Sequence, residues 1–243
     1  PARRRFLRGS AARAATLVAP GLLLYQSGRA RAPDEPVDGS VRWGMLIDTN
    51  ALSESDIDAC VSACQREHGW SDTGNPQTDA QWIRKIRLTD TESGHQKFLP
   101  MMCQHCEHPP CVDVCPTGAS FKRADGIVLV NKHTCIGCRY CMMACPYKAR
   151  SFIHEPLKDQ LPVAPRGKGT VESCTLCVHR IDRDGENAVP ACAEAVNRNG
   201  KKAILFGNLN DPESEISRRL AKVGGTRLRA DMGLNPGVRF QGI

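Results

Sequence analysis

The stretch Cys135-Ile136-Gly137-Cys138-Arg139-Tyr140-Cys141-Met142-Met143-Ala144-Cys145-Pro146 decides how this chain is built. Its cysteines follow the pattern C-x2-C-x2-C-x3-C-P. Spacing this close lets one loop wrap three thiols around a common centre and aim backbone N–H groups at the sulfurs. Upstream, Cys103-x2-Cys106-x4-Cys111-x3-Cys115-Pro116 repeats the pattern with a two-residue expansion. Downstream, Cys174-x2-Cys177 is followed after fourteen residues by Cys192. Cys60 and Cys64 complete the thirteen cysteines.

The run at Cys135–Pro146 matches that of bacterial ferredoxins letter for letter. In that run three close cysteines grip one 4Fe–4S cube and the fourth reaches a neighbouring cube. Iron in such cubes favours soft, charge-donating thiolates. Competing uses of cysteine fit less well. Zinc ribbons use two C-x2-C pairs but do not call for two C-x3-C-P endings. Disulfides suit an exported chain, yet such dense spacing argues against them. Covalent haem needs C-x-x-C-H, whereas Cys106 is followed by Glu107 and Cys177 by Val178.

The chain has 243 residues, 41% of them hydrophobic and 24% charged, which excludes a disordered or collagen-like polymer. Aromatic content is 5%, thin for a core of large side chains. No run approaches eighteen consecutive apolar residues, the length expected of a membrane-spanning helix. The net charge of +7 belongs to residues 1–32, which hold seven arginines and no acid; the remaining 26 basic and 26 acidic residues balance. A nucleic-acid partner therefore has no support in charge.

Those first residues read Arg3-Arg4-Arg5-Phe6-Leu7-Arg8, then a mildly apolar stretch from Ala11 to Leu24, then Ala30-Arg31-Ala32. A basic start, a short apolar middle and an A-x-A end describe an export signal. The arginine run resembles the twin-arginine signal, a route for proteins that fold around cofactors before export. Residues 1–32 are expected to act as that signal and to be retained as an anchor. The expected location is periplasmic and membrane-associated.

Pro33–Ser40 reads as a linker. Trp43–Asp48, Trp82–Leu88, Ser151–His154 and Ala203–Phe206 read as strands, and Asp56–His68 and Glu213–Val223 as helices, the last stopped by Gly224-Gly225. Asp125-Gly126 makes a hairpin of Ser120–Arg123 and Ile127–Asn131. Leu161–Thr170 is a Pro/Gly-rich loop. Residues 98–200 show little apolar periodicity, so a bound group is expected to hold them.

The body resembles the four-motif, ferredoxin-like iron–sulfur subunits of DMSO, polysulfide and tetrathionate reductases over about residues 41–210. Cys174-Thr175-Leu176-Cys177-Val178-His179-Arg180 is very similar to the family's fourth motif. The resemblance implies an α+β fold of two pseudo-symmetric cluster-binding lobes, with short elements and long cofactor-wrapped loops. One lobe would cover about 98–155; the other, 41–97 and 156–210, leaving 211–243 as a tail. In the family, motifs pair as nested couples that exchange their fourth cysteines. Carried over, Cys103, Cys106 and Cys111 with Cys145 hold one cube. Cys135, Cys138 and Cys141 with Cys115 hold a second, and Cys174, Cys177 and Cys192 with Cys64 a third. The chain departs from the family at Glu54 and Ile57, where motif I would have cysteines, and at Val196, where motif IV would end on one. Three of the four ligands of a fourth site are thus absent. Three 4Fe–4S clusters are expected, with Cys60 a small buried residue and no ligand. Consecutive pairing of the motifs strands both Cys60 and Cys115, so nested pairing satisfies more thiols.

Met101, Met102, Met142 and Met143 read as apolar packing around the clusters, and His105 and His108 as loop or packing residues. Arg139, His179 and Arg180 read either as counter-charges or as solvated surface. No nucleophile elbow, P-loop or dinucleotide fingerprint is present, so the chain reads as a non-catalytic electron conductor. A twin-arginine leader with three complete sites is most similar to the iron–sulfur subunit of sulfite-reduction-associated Dsr membrane complexes. That likeness implies an integral membrane, quinone-interacting partner of the NrfD/PsrC type and a multihaem cytochrome c. The alternative is an electron-transfer subunit of a molybdopterin oxidoreductase or nitrite-reductase system.

Overall fold

Trp43–Asp48 forms β1 with five consecutive buried positions, a continuous apolar run rather than an alternating one. Such a strand needs cover on both faces and a partner at each edge. It has both partners: β8 (Ile204–Asn208) pairs antiparallel on one side and β9 (Val238–Gln241) pairs parallel on the other. The computed structural model describes Arg31, residues 35–158 and residues 160–243. The expected export signal lies outside the described residues except for Arg31, as do two residues of the expected linker. Among the described residues no helix is long and apolar enough to cross a membrane.

Helix α1 runs from Glu54 to His68, two residues earlier than the apolar pattern implies. The reason is a capping box: Asp56 N–H donates to the Ser53 hydroxyl while the Asp56 carboxylate accepts from Ser53 N–H. Gly69, in the left-handed conformation at φ 65°, ends it. Its inner face presents Ile57, Cys60, Ala63, Cys64 and His68. The hairpin of β2 (Ile83–Thr89) and β3 (Gln96–Met102) packs beside it, in register from Ile83 opposite Met102 to Thr89 opposite Gln96. A second helix packed on α1, Ala191–Val196, brings Cys192 and Val196 to that buried face.

Around the cysteine motifs the elements are short. They comprise the helices Pro110–Asp113, Tyr140–Ala144 and Val178–Asp184, and two small ladders, Ser120–Lys122 with Val128–Val130 and Ser151–Phe152 with Val171–Glu172. The loop Leu161–Thr170 is pinned by Arg166, which forks onto the fully buried Glu172 at 2.8 Å for each bond and donates to Gly69 O at 2.9 Å.

Two expectations change. The expected tail, 211–243, is part of the fold: Glu215–Val223 packs on β8, and Val238–Gln241 is the parallel edge of the three-stranded sheet. The interior is also greasier than the low aromatic content implies. Trp43, Met45, Ile47, Ile57, Trp82, Leu99, Met102 and Phe240 pack in one core with most of the buried cysteines.

Candidate metal centres

Backbone conformation sets the cysteine loops. His105, Arg139, Leu176 and Cys177 all sit at positive φ, beside Gly137 at φ 72°. The left-handed region costs a side chain energy, and here it occurs at the residues where the loops turn back on themselves. At Gly137 a Cβ would also collide with the Gly169 carbonyl, so only glycine fits.

The thirteen thiols are unpaired by disulfides. Twelve of them fall into three neighbourhoods. In the first, buried Cys103 and Cys106 each feel Cys111 and Cys145, and Cys111 feels Cys145 in turn. Burial and then these neighbours push the Cys106 thiol up to about 12. In the second, Cys115, Cys135, Cys138 and Cys141 line one small surface pocket. Cys115 and Cys135 are half-buried and Cys138 exposed. In the third, Cys64, Cys174, Cys177 and Cys192 are all buried. After burial itself, Cys174 and Cys177 raise Cys64, and Cys192 and Cys177 raise Cys174. Cys60, Cys177 and Cys64 raise Cys192, and Cys60 adds to the effect at Cys64. Cys174 also feels Cys103, and Cys111 feels Cys141. The first neighbourhood therefore lies between the other two.

Buried thiols that repel one another's charge stay protonated unless a cation replaces the proton. A coordinating metal deprotonates a thiol outright, so this donor set fits a metal group. Among the described residues no three His, Cys, Asp or Glu side chains are close enough to hold a single metal ion. Four thiols per neighbourhood, two of the loops ending in C-x3-C-P, suit a cube of irons.

The sulfurs are further prepared by N–H donors. Ser120, Val171, Leu176 and Ala191 backbone N–H groups donate to Cys115, Cys135, Cys174 and Cys177 at 3.3, 3.5, 3.4 and 3.4 Å. At Cys115 burial works to raise the thiol, but Ser120 N–H and then Thr117 outweigh it and lower it. The Trp70 indole donates to Cys64 at 3.3 Å, and Arg150 donates to Cys111 at 3.1 Å.

Cys60 is fully buried, its Sγ 3.7 Å from Cys192 O, with its thiol pushed up to about 12 by burial and then Asp56. Where motif I would carry further cysteines, Ile57 is packed in the core with Cys60 and Val196, and Glu54 turns outward to Lys85 at 3.0 Å.

The segment 95–203 matches the 4Fe–4S dicluster domain family. Across 98% of the chain and 97% of the relative, it is 42% identical to the Hdr-like menaquinol oxidoreductase iron-sulfur subunit 1 of Archaeoglobus fulgidus. This chain is an iron–sulfur subunit of that family. The subunit is also 36% identical to protein NrfC of Escherichia coli, over 96% of the chain and 92% of the relative. To a tetrathionate reductase subunit of Salmonella typhimurium it is 32% identical, over 92% and 83%. Its place is that of an electron-transfer subunit of respiratory oxidoreductases carrying 4Fe–4S clusters, not of a catalytic subunit.

Other side chains of the iron–sulfur subunit fall only in part as the sequence reading has them. His179 and Arg180 both bind Glu67, at 2.7 and 2.6 Å, and Arg180 also acts as a counter-charge to the Cys177 thiol. Arg139 lies over the Phe152 ring at 3.8 Å. Met102 is buried and Met101 and Met142 half-buried, but Met143 is 65% exposed. His105 is buried and accepts Val128 N–H at 3.0 Å, while His108 is exposed. Sequence reasoning missed Arg150 and Trp70. The only signal for Arg150 was a basic residue five positions after Cys145, in a stretch otherwise destined for the interior.

Proposed function

We propose that the subunit holds three 4Fe–4S clusters and passes electrons between a membrane quinone-interacting subunit and further redox partners. The ligands would be Cys103, Cys106, Cys111 and Cys145; Cys135, Cys138, Cys141 and Cys115; and Cys174, Cys177, Cys192 and Cys64. When bound, each cube takes up or releases one electron and offers no open position to substrate. The observation that carries the reading is the serial arrangement of three thiol neighbourhoods, buried at the Cys64 end and exposed at Cys138. Side chains then do the rest: they keep water from two centres and leave the third near the surface.

The exposed end supports a docking role. Ile136, Tyr140 and Met143, 66%, 53% and 65% exposed, lie within five residues of Cys138 in the sequence, and residues 132–154 contain no acid. A partner with an apolar patch and an acidic rim would be complementary. The partners we propose are an NrfD/PsrC-like integral membrane subunit and a multihaem cytochrome c. The complex would be of the Dsr type, with this chain in the role of DsrO. The relative named for a menaquinol oxidoreductase favours a quinone-linked assignment. The NrfC and tetrathionate reductase relatives favour the second reading, a subunit of a nitrite-reductase or molybdopterin system.

We also place the protein in the periplasm, with residues 1–32 as a twin-arginine signal, and divide the body into two cluster-binding lobes. Mass spectrometry of the complex released in mild detergent tests the assignment. An integral membrane subunit and a haem protein are the expected companions, and a molybdopterin subunit would favour the second reading.

A further inference from the structure

We propose that Arg150 is a potential-setting residue shared by two clusters, those ligated at Cys111 and at Cys141. This rests on the three-cluster reading above. Arg150 is 6% exposed, and its Nη2 donates to Cys111 Sγ at 3.1 Å. The charge of the same guanidinium also acts on the Cys141 thiol, opposing the effect of burial there. Cys111 belongs to the central neighbourhood and Cys141 to the outer one, so one planar cation bridges the gap between them.

Arg150 differs from the carboxylate-paired guanidiniums in its company, and from the unpaired Arg84 and Arg239, which donate to Tyr147 O and Asn235, in facing sulfur. Arg166 has Glu172, Arg123 has Asp125 and Asp182, and Arg180 has Glu67 and Glu194. Among the described residues no carboxylate pairs with Arg150, and its buried Nε and Nη1 have no acceptor. A buried cation needs a compensating charge, and the groups facing it are sulfurs: Cys111, Cys103 and Cys141 hold it protonated although burial opposes them. Its other titratable neighbours, Lys132 and the buried His105, whose imidazole burial and then Arg150 hold down to about 3, offer no negative charge. The two orphaned donors fit the sulfide corners that a cube would present beside each thiolate.

The consequence is electrostatic. A fixed positive charge stabilises the more negative, reduced state of any cluster beside it, and hydrogen bonds and charge at the sulfurs tune potentials. Because one charge serves both sites, their potentials rise together. The third site, at Cys64, Cys174, Cys177 and Cys192, is left outside its reach. Relative to the third site, this charge favours reduction of the bridged pair.

The test is a potentiometric titration followed by EPR on the intact complex, with iron and sulfide content measured on the same samples. In Arg150→Met, two of the three signals should shift to lower potential, each by about a tenfold change in the reduction equilibrium, or about 59 mV for a one-electron couple. The third should stay in place. Arg150→Lys, which keeps the charge and loses the fork, should recover most of the shift. If the Met variant loads poorly, Arg150→Gln carries the test, since it keeps N–H donors and drops the charge; the same paired shift is expected. Unmoved potentials, or an equal shift in all three, in fully loaded protein overturn the role of Arg150 alone. A wild-type complex without about twelve irons per chain overturns the cluster reading beneath it.

Discussion

Glu172→Gln should destabilise the subunit more than any other single exchange of similar size. Glu172 has no exposed side-chain surface, and its partner Arg166 shows only 8%. Two parallel bonds of 2.8 Å join them. The exchange removes one charge of a buried pair and leaves the other uncompensated, which costs about 3–5 kcal/mol. The effect reaches two candidate centres. Val171, next in the chain, donates its N–H to Cys135, while Arg166 holds the Gly69 carbonyl at the end of the helix that carries Cys64. For a chain of this size that penalty corresponds to a fall in midpoint of about 6–20 °C. Melting followed by loss of the brown cluster absorption near ~400 nm measures it in the loaded protein. The double variant Glu172→Gln/Arg166→Met should recover part of the loss, because no charge is then stranded. A single variant that melts within about 2 °C of wild type would refute the reasoning.

Other outcomes follow from the same contacts. Trp70→Phe keeps the ring and removes the indole donor 3.3 Å from Cys64; one cluster should fall in potential by about 20–45 mV and the other two should not move in a redox titration. Cys60→Ala should leave iron content unchanged and cost about 1 kcal/mol of stability, whereas Cys64→Ala should lose about four irons by metal analysis. Asp56 gives a pH dependence. Burial opposes its charge, but Lys201 and Ser53 outweigh it and hold the carboxyl below its ordinary value. Its folded pKa is depressed, so its contribution is present above the unfolded value of about 4 and fades as pH falls through the folded one. Urea melts of Asp56→Asn should show a loss of about 1 kcal/mol at neutral pH that vanishes in acid.

How far the sequence carries the account depends on the kind of signal. Cysteine spacing is covalent and local, so the loops around Cys103–Cys115 and Cys135–Cys145 were legible at once. Which fourth thiol belongs to which loop was not, because Cys64 and Cys174 are far apart in sequence; only the family resemblance supplied nested pairing. The strand Gln96–Met102 escaped notice because Pro100 interrupts it, and proline is tolerated there since a two-stranded ladder has two free edges. Val238–Gln241 was too short to stand out, and its parallel partner β1 lies at the other end of the chain. The helix start was written in Ser53 and Asp56, a capping pair that apolar periodicity does not register. Arg150 was invisible for another reason. A lone arginine looks solvated in any sequence, and its burial follows from two loops closing over it.

The most direct test of the whole account is iron and acid-labile sulfide counted per chain in the purified complex, with the reduced clusters resolved by EPR. The account requires about twelve of each and three distinguishable 4Fe–4S signals. About sixteen irons would mean that a fourth centre exists where Ile57, Cys60 and Val196 pack. A folded, metal-free chain with its cysteines joined as disulfides would contradict the account outright.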